Sequence, residues 1–237
     1  MSTFVFVHGA FHGGWVWSKV SKKLEEAGHR AVSLDLPSHG MDQTPPSQVT
    51  LKDYVDCVCK VLDQEQEPVI LVGHSMGGMV ITQVAEYRPS KIRTLVYLCA
   101  SIPQNGASLI QTLEQDKYLQ PLPILVSEDQ TFLTLDQTKT KDRFYGECSQ
   151  QDATDSLRLL CSQPVAPLLT PIEITEENFG RVPKIYIETL KDQAISLQFQ
   201  RELQENNSFQ QVLTLDTDHS PFFSQTEALV KHLSSII

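Results

Sequence analysis

No stretch of this sequence is apolar for long enough to cross a bilayer as a helix, which takes about 20 consecutive apolar residues. No basic segment followed by a long apolar core opens the chain either. Met1-Ser2-Thr3-Phe4-Val5-Phe6-Val7 reads instead as a strand. A cytoplasmic location without membrane attachment is the expectation. Positive charge is in deficit, with 19 Lys and Arg against 29 Asp and Glu and a formal net charge of -10. A chain of that sign is poorly suited to neutralising phosphates, which argues against nucleic acid and anionic membrane surfaces as main partners and leaves a small neutral ligand open. Cysteine is scarce and unpatterned. The five (Cys57, Cys59, Cys99, Cys148, Cys161) are odd in number and form no CxxC, and Cys57 and Cys59, two apart on an expected helix, point in different directions. Neither a disulfide framework nor a metal site is expected. Internal repeats and low-complexity tracts are also missing.

The 237 residues, 41% hydrophobic and 20% charged, suit one domain with a large buried core. A homodimer is left open. Short β-rich runs alternate with helical patterns, the mark of a parallel sheet covered on both faces. The runs are Phe4 to Val7, Ala31 to Leu34, Val69 to Val72, Leu95 to Leu98, Ile185 to Ile187 and Val212 to Leu215, each read as a strand buried on both sides. Val16, Val20, Leu24 and Ala27 lie at helical spacing with Gly28 as a stop. Thr50 with Asp53 resembles a capping box ahead of Leu51, Val55, Val58 and Leu62, and a helix is expected from about Met76 to Arg88, ending before Pro89. Some eighty residues separate Leu98 from Lys184, far more than the dozen or so a crossover needs. A structureless loop of that length is foreign to a compact domain. Residues 103–181 are therefore read as a helical cap inserted into a core of 1–102 and 182–237, with one helix around Ala153 to Cys161.

Gly73-His74-Ser75-Met76-Gly77-Gly78 falls where the third run meets the next helix. This is G-x-S-x-G in the strand–turn–helix setting that gives the motif its meaning. The turn is so sharp that bulky side chains are excluded two positions before and after Ser75, and Gly73 and Gly77 meet that demand. Ser75 is the expected nucleophile, held in a strained conformation with its hydroxyl raised above the sheet. An oxyanion needs two donors. The N–H of Met76 is one, and the loop His8-Gly9-Ala10-Phe11-His12-Gly13-Gly14 after the first strand supplies the other, assigned to Ala10 with Gly9 allowing close approach.

Seven histidines compete for the role of general base. His8, His12 and His74 sit in the glycine-rich loops and are read as braces; His29 and His39 lie in turns, and His232 on the last helix. His219 follows the last strand, where the order nucleophile, acid, base puts it. Asp192, in the loop after Ile185-Tyr186-Ile187-Glu188, is the expected acid, because Glu188 is still in the strand and Asp216 and Asp218 are too near His219 along the chain. Asp192 would fix the imidazole tautomer and stabilise the imidazolium. Gly9, Phe11, Phe132 and Phe144 are candidate substrate contacts, and Leu133, Tyr145 and Leu159 could join an apolar pocket, although packing in the core is the commoner role for such residues.

Three segments carry a resemblance: Phe4 to Trp15, Gly73 to Met79, and Asp218 to Phe223. They are similar to the plant methylesterase/hydroxynitrile lyase family and its bacterial esterase relatives. Lys184 to Ile187, Asp192 and Phe199-Gln200-Arg201 resemble that family's acid-bearing strand and loop. The resemblance implies the α/β-hydrolase fold, about six mostly parallel strands flanked by helices. It also implies Ser75, Asp192 and His219 as a triad, Ala10 and Met76 as oxyanion donors, and no metal or cofactor. The lyases place threonine where Gly9 stands and lysine where Ser220 stands, so ester hydrolysis is the implied reaction. A lyase, lactonase or thioesterase using the same residues, or a slow-turnover ligand receptor, are the competing readings.

Overall fold

Phe4 and Phe6 turn to one face of the first strand and Val5 and Val7 to the other, and all four are fully buried. Side chains alternate across a strand, so a run that is apolar at every position needs cover on both faces. That cover is what the computed structural model, which describes residues 1–237, displays. Strands β1 (Thr3–Val7), β2 (Arg30–Ser33), β3 (Val69–His74) and β4 (Ile92–Leu98) come first. Three short strands follow, β5 (Ile124–Val126), β6 (Phe132–Leu135) and β7 (Gln163–Pro164), then β8 (Lys184–Thr189) and β9 (Gln211–Leu215). Six of the nine form one sheet in the order β2-β1-β3-β4-β8-β9, every pair parallel.

On one face α2 (Leu51–Gln64) and α3 (Gly77–Tyr87) pack over Val5, Leu71, Leu95 and Tyr97. On the other, α1 (Ser18–Glu26) packs over Phe4, Phe6, Ile70 and Val72, together with the C-terminal elements described below. The local signals explain where helices begin and end. Thr50 and Asp53 form a full capping box at the start of α2. Gly28, at φ +83°, closes α1 with two bonds, its N–H to the Glu25 carbonyl and the His29 N–H to the Leu24 carbonyl. That pairing satisfies the last carbonyls of the helix. Helix α3 occupies Gly77–Tyr87, slightly inside the expected range.

Two expectations are corrected. The outer strands β2 and β9 are not buried on both sides; each has a single neighbour in the sheet and exposes part of its side chains to solvent. The long segment between β4 and β8 is not wholly helical. It carries α4 (Leu109–Leu113), α5 (Gln137–Phe144), α6 (Gln150–Leu159) and α7 (Val165–Leu169), and also a three-stranded antiparallel sheet, β5-β6-β7. Its residues Leu133, Phe144 and Leu168 belong to the same apolar cluster as β1, β3 and β4. The chain finishes with α8 (Leu197–Glu205), α9 (Pro221–Ser224) and α10 (Thr226–Ser235), the last burying Leu229 and Leu233 beneath the sheet beside α1.

The strand order determines where a site can form. From β1 the chain moves outward to β2, then returns to the other side of β1 as β3. Loops leaving the C-terminal ends of β1 and β3 therefore diverge and open a crevice, the usual ligand position in a sheet of this kind.

Candidate active site

The loops on the two sides of that crevice are His8–Gly14 and the turn Gly73–Gly78. Ser75 has φ +54°, a left-handed backbone that a residue with a Cβ rarely adopts. Its neighbours hold it there: the Ser75 N–H donates to the Leu98 carbonyl at 3.3 Å, and its own carbonyl accepts from Gly78 at 3.0 Å and Ser101 at 3.1 Å. The glycines are demanded by contact. A Cβ on Gly73 would lie 2.6 Å from the Gly77 carbonyl oxygen, and one on Gly77 would lie 2.7 Å from that of Val7. Gly9 passes equally close, 2.9 Å from the Ser75 Cβ on the same construction.

His219, in the loop between β9 and α9, has its Nδ1 2.7 Å from Asp192 Oδ2, with both side chains buried. Asp192 is held from every side. Its Oδ1 accepts the N–H groups of Ala194 (2.7 Å) and Ile195 (2.9 Å), and its Oδ2 accepts the Thr189 hydroxyl (2.9 Å) and the Gln200 amide (3.3 Å). The carboxylate cannot turn away, so Nδ1 of His219 carries the hydrogen and Nε2 keeps its lone pair. That Nε2 is buried and has no hydrogen-bond partner. His219, Ser75, Ala10 and Met76 all border one enclosed cavity. The backbone N–H groups of Ala10 and Met76 donate to no protein acceptor. A serine hydroxyl, an imidazole lone pair and two free N–H groups around one cavity can together perform acyl transfer.

His8, His12 and His74 brace the loops, as expected. His8 receives the Leu36 N–H on Nε2 (3.1 Å), which leaves its Nδ1–H to donate to the Gly9 carbonyl (2.8 Å). That carbonyl shares its peptide plane with the Ala10 N–H, so His8 aims the donor. His12 bonds the Ala10 carbonyl (2.7 Å) and the Tyr145 hydroxyl (2.6 Å). His74 Nε2–H donates to the His219 carbonyl at 2.8 Å, tying the turn to the loop that holds the imidazole. Burial holds His8 and His74 well below the usual histidine range, and His12 is pushed down to about 4. All three are neutral near pH 7 and add no charge beside the cavity.

Of the candidate substrate contacts, Phe11 and Phe144 line the cavity. Gly9 and Phe132 do not. Gly9 lies beneath His74 and Ser75, and alternation along β6 turns Leu133 to the cavity and Phe132 away from it. Tyr145 is buried behind His12, and Leu159 is exposed on the surface. Much of the wall is contributed by leucines and isoleucines of the β4–β8 segment, such as Leu109, Leu113 and Leu168, which no local motif marks. Thr189, which clamps Asp192, carries no such mark either, and Gln200, inside a segment singled out only by resemblance, gains its role as a second clamp once β8 and α8 are folded. Asp218 is not a second acid for His219, as expected. It accepts the N–H of Glu147 (2.8 Å) and the hydroxyl of Ser224 (2.8 Å) and so organises the loop.

His74, Cys99 and His219 bring donor atoms within 4.8 Å of one another. They do not fit a metal. Burial raises the Cys99 thiol well above its ordinary range, which disfavours the thiolate that a metal needs, and the thiol faces the His219 carbonyl at 3.7 Å.

The sequence pattern of the alpha/beta hydrolase family matches residues 4–232. The chain belongs to that family. Its relatives there include methylesterase 18 of Arabidopsis thaliana, 31% identical over 97% of this chain and 95% of that protein. They also include an alpha-hydroxynitrile lyase of the same plant, 32% identical over 98% of this chain and 96% of that protein. Four relatives named as chloroplastic are longer, and the chain spans 56% to 71% of their length. Among solved structures, a methylesterase protein from Arabidopsis superimposes with a TM-score of 0.86 at 30% identity, covering 100% of this chain and 98% of that one. The α/β-hydrolase fold and the kinship to plant methylesterases and hydroxynitrile lyase, both expected from the motifs, are therefore borne out. No helix is long and apolar enough to cross a membrane.

Proposed function

We propose that the chain is a carboxylesterase-type serine hydrolase acting on small, neutral carboxylic esters, with Ser75 as nucleophile, His219 as general base and acid, and Asp192 as the group that orients His219. The observation that carries this reading is the imidazole of His219, with Nδ1 bonded to a clamped carboxylate and Nε2 unpaired at the cavity that Ser75 borders. His219 Nε2 takes the Ser75 proton as Oγ attacks the ester carbonyl. The Ala10 and Met76 N–H groups hold the oxyanion. Collapse of the tetrahedral intermediate expels the alcohol, which receives its proton from His219. Water, deprotonated by His219, then releases the acid and restores Ser75.

The cavity favours an uncharged, mostly apolar group: 13 of its 18 lining residues are hydrophobic. Its volume of about 70 Å³ suits a small substituent. Residues 103–181 act as the cap that sets this size. No lysine or arginine lines the cavity to hold a departing cyanide, which favours hydrolysis over cyanohydrin cleavage. Ser75→Ala is expected to lower kcat on p-nitrophenyl acetate by a factor on the order of 10⁶ and to abolish labelling by a fluorophosphonate probe. Activity that survives the substitution overturns the assignment.

A further inference from the structure

Ser101 lies three residues beyond β4 and borders the same cavity as Ser75 and His219. Its hydroxyl oxygen is buried and has no hydrogen-bond partner. Folded proteins pair their buried hydroxyls almost without exception, because desolvating one without a partner is unfavourable. The other polar groups around the cavity are accounted for. Both ring nitrogens of His12 are bonded. His74 Nδ1 also lacks a partner, but Gly9 packs over it, where a Cβ would lie only 2.8 Å away. Ser75 and His219 belong to the reaction. The Ser101 hydroxyl is the polar group left for a ligand.

Its position is fixed relative to the reacting centre. The Ser101 N–H donates to the Ser75 carbonyl at 3.1 Å. On the other side Gly78 packs so close that a Cβ there would lie 2.4 Å from the Ser101 carbonyl oxygen. The glycine that extends G-x-S-x-G by one position thus makes room for this loop. The wall of that cavity is mostly alkyl and aromatic, with Leu109, Leu133, Phe144 and Ile195 among its members.

We infer that Ser101 is a specificity-determining contact that selects esters bearing a second oxygen, as hydroxyl or keto group, a few bonds from the scissile carbonyl on an otherwise apolar skeleton. The inference rests on the esterase reading and deepens it. A serine hydroxyl both donates and accepts, so it pairs with either oxygen. A charged group at this point would have one neutral partner among alkyl walls and is disfavoured.

Two pairs of esters locate the oxygen: ethyl 3-hydroxybutanoate against ethyl butanoate for the acyl side, and 2-hydroxyethyl butanoate against propyl butanoate for the alcohol side. The wild-type protein is expected to prefer the hydroxylated member of one pair by about tenfold in kcat/KM. Ser101→Ala should bring that ratio close to one, mainly through the KM of the hydroxylated ester. Ratios that stay equal between wild type and Ser101→Ala in both pairs overturn the inference. Calorimetric binding of the same esters to the Ser75→Ala protein separates recognition from turnover. A preference in Kd that disappears in the Ser75→Ala/Ser101→Ala protein supports the role of Ser101 even where no ester is hydrolysed, a result that would count against the esterase reading alone. Equal binding of both members in both pairs counts against Ser101.

Discussion

At the scale of single residues, the site depends on hydrogen bonds that fix orientation. Asp192 takes donors on both oxygens, so its bond to His219 is set before any substrate arrives. Asp192→Asn replaces an acceptor with a group that offers a hydrogen to Nδ1, forces the imidazole toward the wrong tautomer, and should lower kcat about 10⁴-fold; steady-state kinetics on p-nitrophenyl acetate would detect it. A loss below tenfold would mean that another group orients the ring. His8 acts one step further out, through the Gly9 carbonyl on the peptide that carries the Ala10 N–H. His8→Ala should therefore reduce kcat by about 10²-fold, the scale of losing one oxyanion donor, with KM nearly constant. His8→Asn, whose amide nitrogen sits near the position of Nδ1, should recover part of the loss. A role confined to stability would lower the active fraction without changing kcat per active site, which titration with a fluorophosphonate measures.

At the scale of elements, the glycines divide into two kinds with different expected consequences. Gly28 ends α1 at φ +83° with nothing within 4 Å of a would-be Cβ. Gly28→Ala should lower stability by about 1 kcal/mol through backbone strain alone and leave activity intact. Gly77→Ala drives a Cβ to 2.7 Å from the Val7 carbonyl oxygen, so β1 and the turn must separate. It should cost both stability and most of the activity, as urea unfolding and turnover measured side by side would report. The same contrast explains what could be read in advance. The turn at Ser75 was legible because its constraint is local, glycines at fixed offsets between a strand and a helix. The strands were legible as short apolar runs, but the exposure of β2 and β9 was not, since an edge position follows from sheet order and leaves no mark on composition. The antiparallel strands β5 and β7 span three and two residues, the second ending in Pro164, too short for any period to register. Phe132 and Leu133 are both apolar neighbours in sequence, and only the register of β6 against β7 decides which one meets the cavity.

At the scale of the whole molecule, the histidines beneath and beside the site set the response to acid. His8, His12, His39 and His74 are all buried, and burial is the main reason that each lies below the ordinary histidine range, with His12 down to about 4. The rings crowd one another, His8 and His39 at 4.9 Å between centroids and His12 and His74 at 6.4 Å, so protonating one disfavours the next. In the unfolded chain each regains a value of about 6.5. Between pH 6.5 and the depressed folded values the unfolded state therefore binds more protons than the folded one, and stability falls as pH falls. This window lies above that of carboxylates such as Asp42, Asp53 and Glu86. They sit below their ordinary values when folded, and their contribution is lost only at lower pH. The two sources are thus separable along the pH axis. Urea unfolding measured from pH 8.5 to pH 5 should show a plateau above about 8, then a loss below 6.5 of at least about 1.4 kcal/mol per pH unit, the slope of one proton taken up on unfolding. A profile that stays flat to pH 5 would mean that these imidazoles titrate alike in both states, and that they do not bury themselves neutral to build the loops around Ser75.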